Sequence, residues 1–92
     1  NLDKADGFEV SGNMPNPFNQ QTSFTLSLTQ AADVTVDVVN ALGTTVATFD
    51  KGNLVAGTHK IVLDGTNLAS GLYFYTVKAG NNSVTKKMMV KK

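Results

Sequence analysis

His59 is the only histidine in the chain, and cysteine is absent. One imidazole cannot build a histidine metal cluster or a Ser-His pair with a second orienting histidine. Lying between Thr58 and Lys60, it reads as a partly buried strand histidine. Ser70 precedes Gly71, but no Gly-x-Ser-x-Gly elbow surrounds it, so it reads as a turn residue. The segments "DKADG" and "DGTN" offer carboxylate oxygens without the ligand spacing of an EF-hand loop. Turn formation through Asx side chains is the favoured reading for both. "NNS" at Asn81 is a formal glycosylation acceptor, a match frequent by chance. No nucleophile, base and oxyanion donor can be assembled, so neither an enzyme nor a cofactor or metal site is expected.

Charge is distributed more tellingly. Residues 1–64 carry all seven acidic groups and three lysines, a balance of −4, whereas residues 65–92 carry five lysines and no acid. Lys86, Lys87, Lys91 and Lys92 crowd the last seven positions. Lysines on a terminal strand discourage sheet-to-sheet aggregation. The functional reading is a basic, exposed strand displayed to a receptor, pairing with an edge or resting on acidic side chains. A net charge of +1 and the absence of arginine argue against nucleic acid. Val10 to Ala32 is uncharged, but its Asn, Gln, Pro and Ser content excludes a membrane span. The abrupt start "NLDKADG" shows no signal peptide and reads as a fragment of something longer.

Those residues must be positioned by strands. Eleven valines, eleven threonines and one isoleucine make a quarter of the chain β-branched. Short alternating runs follow one another between turn residues: "FEV" (weak), "TSFTLSL", "DVTVDVV", "TTVATFD", "THKIVLD", "GLYFYTVK" and "SVTKKMMVK". "NALG" and "AGNN" read as hairpin connections, with Gly43 left-handed. "GLYFYTVK" is apolar on both faces at its start and so reads as a central strand. About seven antiparallel strands in a chain of 92 residues predict an immunoglobulin-like β-sandwich of two sheets. "LASGLY" has the Leu-x-x-Gly-x-Tyr spacing of a tyrosine corner, which makes Tyr73 a structural residue.

Both prolines lie in "NMPNPFNQQ". Each fixes φ near about −65° and biases the preceding residue to be extended, which predicts a stiff polyproline-like rod over Met14 to Pro17. Such a rod would end the lead into the first long strand.

Together, "MPNPFN", "ALG" and "LVAGTHKIVLDGTNLASGLYFYTVKAGNNSVTKKMMVKK" resemble the type A C-terminal sorting domain of the type IX secretion system of Bacteroidota. The similarity runs from about Met14 to Lys92, in the family's order and spacing. Leu63 stands where the family often has tryptophan. Pro15, Asn16, Pro17, Gly43, Gly57, Gly71, Tyr73 and the four terminal lysines fall on the family's motifs. The resemblance implies a delivery role: residues 12–92 as the sorting domain, and residues 1–11 as a linker from an N-terminal cargo with a weak first strand. It implies periplasmic transit, recognition by the outer-membrane translocon and its shuttle proteins, and export to the cell surface or beyond. In many such cargoes a surface sortase-like protease then cuts upstream and anchors the product. The alternatives are a passive sandwich spacer or carbohydrate-binding module of a secreted enzyme, and a flagellar hook-capping type of immunoglobulin-like domain. The absence of tryptophan leaves little for a carbohydrate platform.

Overall fold

The computed structural model describes residues 2–5, 8–14 and 16–92, with the backbone alone for 2–5. The alternating runs form strands because each can bury one face while its β-branched residues fit the pleat. In chain order these are β1 (Leu2–Ala5), β2 (Phe8–Ser11), β3 (Gln21–Leu28), β4 (Ala32–Asn40), β5 (Thr45–Leu54), β6 (Gly57–Asp64), β7 (Gly71–Ala79) and β8 (Asn82–Val90). The first sheet has the order β1-β2-β3-β6 and the second β5-β4-β7-β8, all pairs antiparallel. Strands β2 to β8 are the seven predicted from the sequence, and β1 is an addition. The chain is an all-β, immunoglobulin-like sandwich.

Its core is the meeting of the two inward faces. Phe24, Leu26 and Leu28 of β3 face Val34, Val36 and Val38 of β4 and Tyr73, Tyr75 and Val77 of β7, all buried. Full burial of one such aliphatic or phenylalanine side chain contributes about 1.5–3 kcal/mol. The Phe24 and Tyr75 rings stack with centroids 4.9 Å apart. Tyr75 keeps its hydroxyl satisfied by donating to the Ser11 carbonyl at 3.1 Å, which ties the second sheet to the end of β2. Phe8 and Val10 are buried too. The weak-looking first strand therefore belongs to the core.

Two turns set the register of the second sheet. Asn40 Oδ1 accepts from the N–H groups of Leu42 and Thr44, each at 3.0 Å, and Gly43 adopts φ +88°. Between β7 and β8, Gly80 has φ +61°. A positive φ at the first of two loop residues is the type II′ arrangement that suits strand twist.

β7 is central in its sheet, as its two-faced apolarity predicts, but the sandwich has only two layers. Its outward residues Leu72 and Phe74 are half-buried by neighbours in the same sheet alone. On that outer face Lys78 meets Asp37 at 2.9 Å.

Candidate recognition site: the clasped end of the terminal strand

β8 is the border strand of the second sheet, with β7 on one side only. Along a strand the backbone groups of successive residues point alternately to the two flanks. Met89 points outward: its N–H donates to Asn16 Oδ1 at 3.0 Å, and its carbonyl accepts from the Phe18 N–H at 3.1 Å. The Lys91 N–H donates to the Phe18 carbonyl at 2.8 Å, which completes a short parallel bridge between Phe18 and Val90. By alternation, Lys87, Thr85 and Ser83 also turn their backbone groups outward. Among the described residues, no backbone partner meets them. The terminal strand is thus closed at its last turn of pairing, while along Ser83 to Lys87 its outward backbone groups are unpaired among the described residues, with β1 lying close beside β8.

The proline motif is what closes it. Met14 pairs with Ser23 of β3 through two backbone bonds, of 2.7 and 3.0 Å, while Phe18 pairs with β8. The chain steps from the first sheet to the second within four residues. The predicted polyproline rod over Met14 to Pro17 falls partly outside the described residues; of those described, Met14 is captured by β3 and the Asn16–Pro17 peptide bond is cis. Pro15 lies outside the described residues, and Pro17 is exposed.

Phe18 drives this crossing. Its side chain is 3% exposed and lies against Gly65, where an added Cβ would stand 2.6 Å from Phe18 Cε2. The Gly65 N–H donates to the Gln20 carbonyl at 2.7 Å, which holds the "DGTN" turn beside the ring. Asp64 forms the Asx turn expected there, accepting from the Thr66 N–H and hydroxyl at 3.0 and 2.6 Å. Those bonds, with a smaller contribution from the charge of Lys92, hold its carboxyl below the usual carboxylate range. The "DKADG" reading falls largely outside the described residues.

The four terminal lysines differ in their surroundings. Lys87 and Lys91 are exposed and Lys86 is half-buried. Lys92 is exposed as well, but its ammonium is held against the domain's own backbone: it donates to the carbonyls of Asn19, Gly65 and Thr66 at 2.6, 3.0 and 3.1 Å. Its backbone N–H donates to Ser70 Oγ at 2.8 Å. This clasp ties the chain beyond β8 to both turns around Phe18. Replacing Lys92 with methionine is expected to lower stability by about 1 kcal/mol, since the carbonyls it releases can rehydrate at the surface. Urea unfolding checks this, and an unchanged midpoint would show that the clasp is idle. Because Asp64 has a depressed pKa, its own contribution is present at neutral pH and is lost only as acidification passes below the ordinary carboxylate range.

Tyr73 donates its hydroxyl to the Ala69 carbonyl at 2.8 Å, the geometry of a tyrosine corner. Gly71, two residues before it, opens β7; Gly57 opens β6 at φ +128°. Gly43, in the β4–β5 turn, lies at the same end of the second sheet as Gly71, whereas Gly57 belongs to the first sheet. His59 is half-buried, with Nε2 at 2.7 Å from the Val55 carbonyl. Among the described residues, no three His, Cys, Asp or Glu side chains converge as a metal group. Asn16, Phe18, Gly65 and Lys92 act as one unit. Sequence reasoning had Asn16 and Lys92 as motif residues, but missed Phe18 and Gly65 as a packed pair. The signal available for that pair was a phenylalanine directly after the prolines.

The chain is an immunoglobulin-like sandwich whose border strand β8 is paired with β7 on one flank and captured at its end by Phe18 on the other. The family model described as "Secretion system C-terminal sorting domain" matches residues 14–91, and the chain belongs to that family. It is a type IX secretion sorting domain, a signal for export to the cell surface or extracellular space. A sorting-signal family is not catalytic. No curated protein matches the chain.

Proposed function

We propose that this domain carries an N-terminal cargo through the periplasm to the outer-membrane translocon, and that the translocon or its shuttle reads β8 by strand addition. One observation supports this reading above the others: the outward backbone groups of Ser83, Thr85 and Lys87 have no backbone partner among the described residues. Such a row is a template for an added strand. The exposed Lys87 and Lys91 favour an acidic partner and speed its encounter. The folded sorting unit reaches back at least to Phe8, since β2 pairs with β3, so a linker to the cargo ends before that residue rather than at residue 11. Because Phe8 and Val10 are buried, any sortase-like cut that leaves the domain folded falls before Phe8.

The substitution Thr85→Pro tests strand addition. Its N–H points away from β7, so proline removes the donor offered to a partner and spares the β7 ladder. A reporter fused to the variant domain is expected to stay in the periplasm, with the domain's melting temperature within a few degrees of the parent, about the shift from 1 kcal/mol. Normal export of a folded Thr85→Pro fusion would rule strand addition out.

A further inference from the structure

The outer face of the second sheet carries a feature the fold does not need. Over most of this face the outward residues are polar, with Thr35 and Asp37 of β4, Thr76 and Lys78 of β7, and Thr85 of β8 in cross-strand register. At the clasped end the chemistry changes. Val39 is opposite Phe74, Phe74 is opposite Lys87, and Leu72 is opposite Met89. The neighbours inward of these positions, Val38, Tyr73, Tyr75, Met88 and Val90, fill the core, so Val39, Leu72, Phe74 and Met89 point outward. Val39, Leu72 and Phe74 are half-buried and Met89 is 41% exposed. Leu42, in the turn that leaves β4 at the same end, is 91% exposed. A sandwich gains nothing from a leucine there, because the turn is already made by Asn40 and Gly43.

We propose that this apolar corner is a second docking surface, which takes an apolar patch rimmed by carboxylates on a protein of the export machinery. The inference rests on the sorting function above and adds a contact beside the open edge of β8. Charge selects this occupant. Lys87 and Lys91 flank the corner and are exposed, residues 65–92 contain no acid, and Asp37, a row further along, already holds Lys78 at 2.9 Å. A second copy would bring these lysines against their own kind, since a twofold contact puts the same patch on both sides. Apolar anchors at the centre with charges at the rim are the ordinary anatomy of a protein interface.

Two variants of the reporter fusion test this in a type IX-competent bacterium. Leu42→Ser alters a side chain that is 91% exposed, so the variant's unfolding transition is expected to match the parent's. Phe74→Thr with Met89→Thr puts strand-favouring polar residues on the outer face. Secretion of the double variant is expected to fall by about tenfold or more, and that of Leu42→Ser severalfold, with cargo retained in the periplasm. Should the double variant unfold, Leu42→Ser alone decides. Export of Leu42→Ser at the parent level, while the parent fusion is exported, overturns the second surface and leaves the sorting function standing. Failure of the parent fusion overturns both. Sedimentation showing a dimer lost on Phe74→Thr, or binding of the purified domain to phosphatidylglycerol vesicles lost on the same change, would assign the corner to another occupant and also overturn the proposal.

Discussion

Replacing Phe18 with alanine is expected to remove about 3–5 kcal/mol of stability, the range for deleting a buried phenylalanine ring. A domain of this size holds about 5–15 kcal/mol in all, so the variant is left close to its unfolding threshold. The ring is 3% exposed and fills the space above Gly65. Its backbone is also the strip that pairs with Val90, so the loss reaches the end of β8. Urea unfolding followed by circular dichroism measures it. A loss below about 1 kcal/mol would mean that the ring is not the wedge that seats the crossing. Gly65→Ala approaches the same contact from the other side. Its Cβ would stand 2.6 Å from the ring, and overpacking of this kind costs about 1–3 kcal/mol.

Deleting residues 86–92 is expected to unfold the domain outright. The segment looks like a charged tail because four of its seven residues are lysine, yet it contributes Met88 and Val90, each 1% exposed, to the core. It also pairs with Gly71 to Tyr75 along β7 and carries the Lys92 clasp. Burying each of the two apolar side chains is worth about 1.5–3 kcal/mol, and the lost strand pairing and clasp add to that. The sum reaches the whole stability of a small domain. Loss of the cooperative unfolding transition in the purified truncation is the expected result, and a retained transition would contradict it. Blocked secretion of such a truncation therefore reports a destroyed fold as readily as a missing address. Substitutions that stay on the surface, such as Thr85→Pro and Leu42→Ser, separate the two.

Much of this was legible in the sequence wherever alternation was strict. "TSFTLSL" and "DVTVDVV" fix which residues face inward, because a one-residue slip would turn every apolar side chain to water. The tyrosine corner was legible for a similar reason: the spacing from Ala69 to Tyr73 is local. The crossing at Met14 to Phe18 was not. Proline chemistry constrains φ and removes donors, but it does not say which distant strand captures the donors that remain. Met14 bonds to Ser23, and Phe18 bonds to Met89 and Lys91, more than 70 residues away. The same limit applies to Lys92. Charge counting places it in a basic cluster, whereas the turns at Asn19 and Gly65–Thr66 decide that its ammonium is held by their carbonyls. Apolarity on both faces of β7 was correctly read as a central strand. Yet half of that apolarity serves no buried layer, and it is this surplus that marks the outer corner.

The most direct measurement is the location of a periplasmic reporter joined to residues 1–92 in a type IX-competent bacterium and in the same strain without its outer-membrane translocon. The account predicts reporter in the medium or on the cell surface of the competent strain alone, with the folded domain present in the periplasm of the other. Reporter retained by the competent strain, or released equally by both, would contradict it.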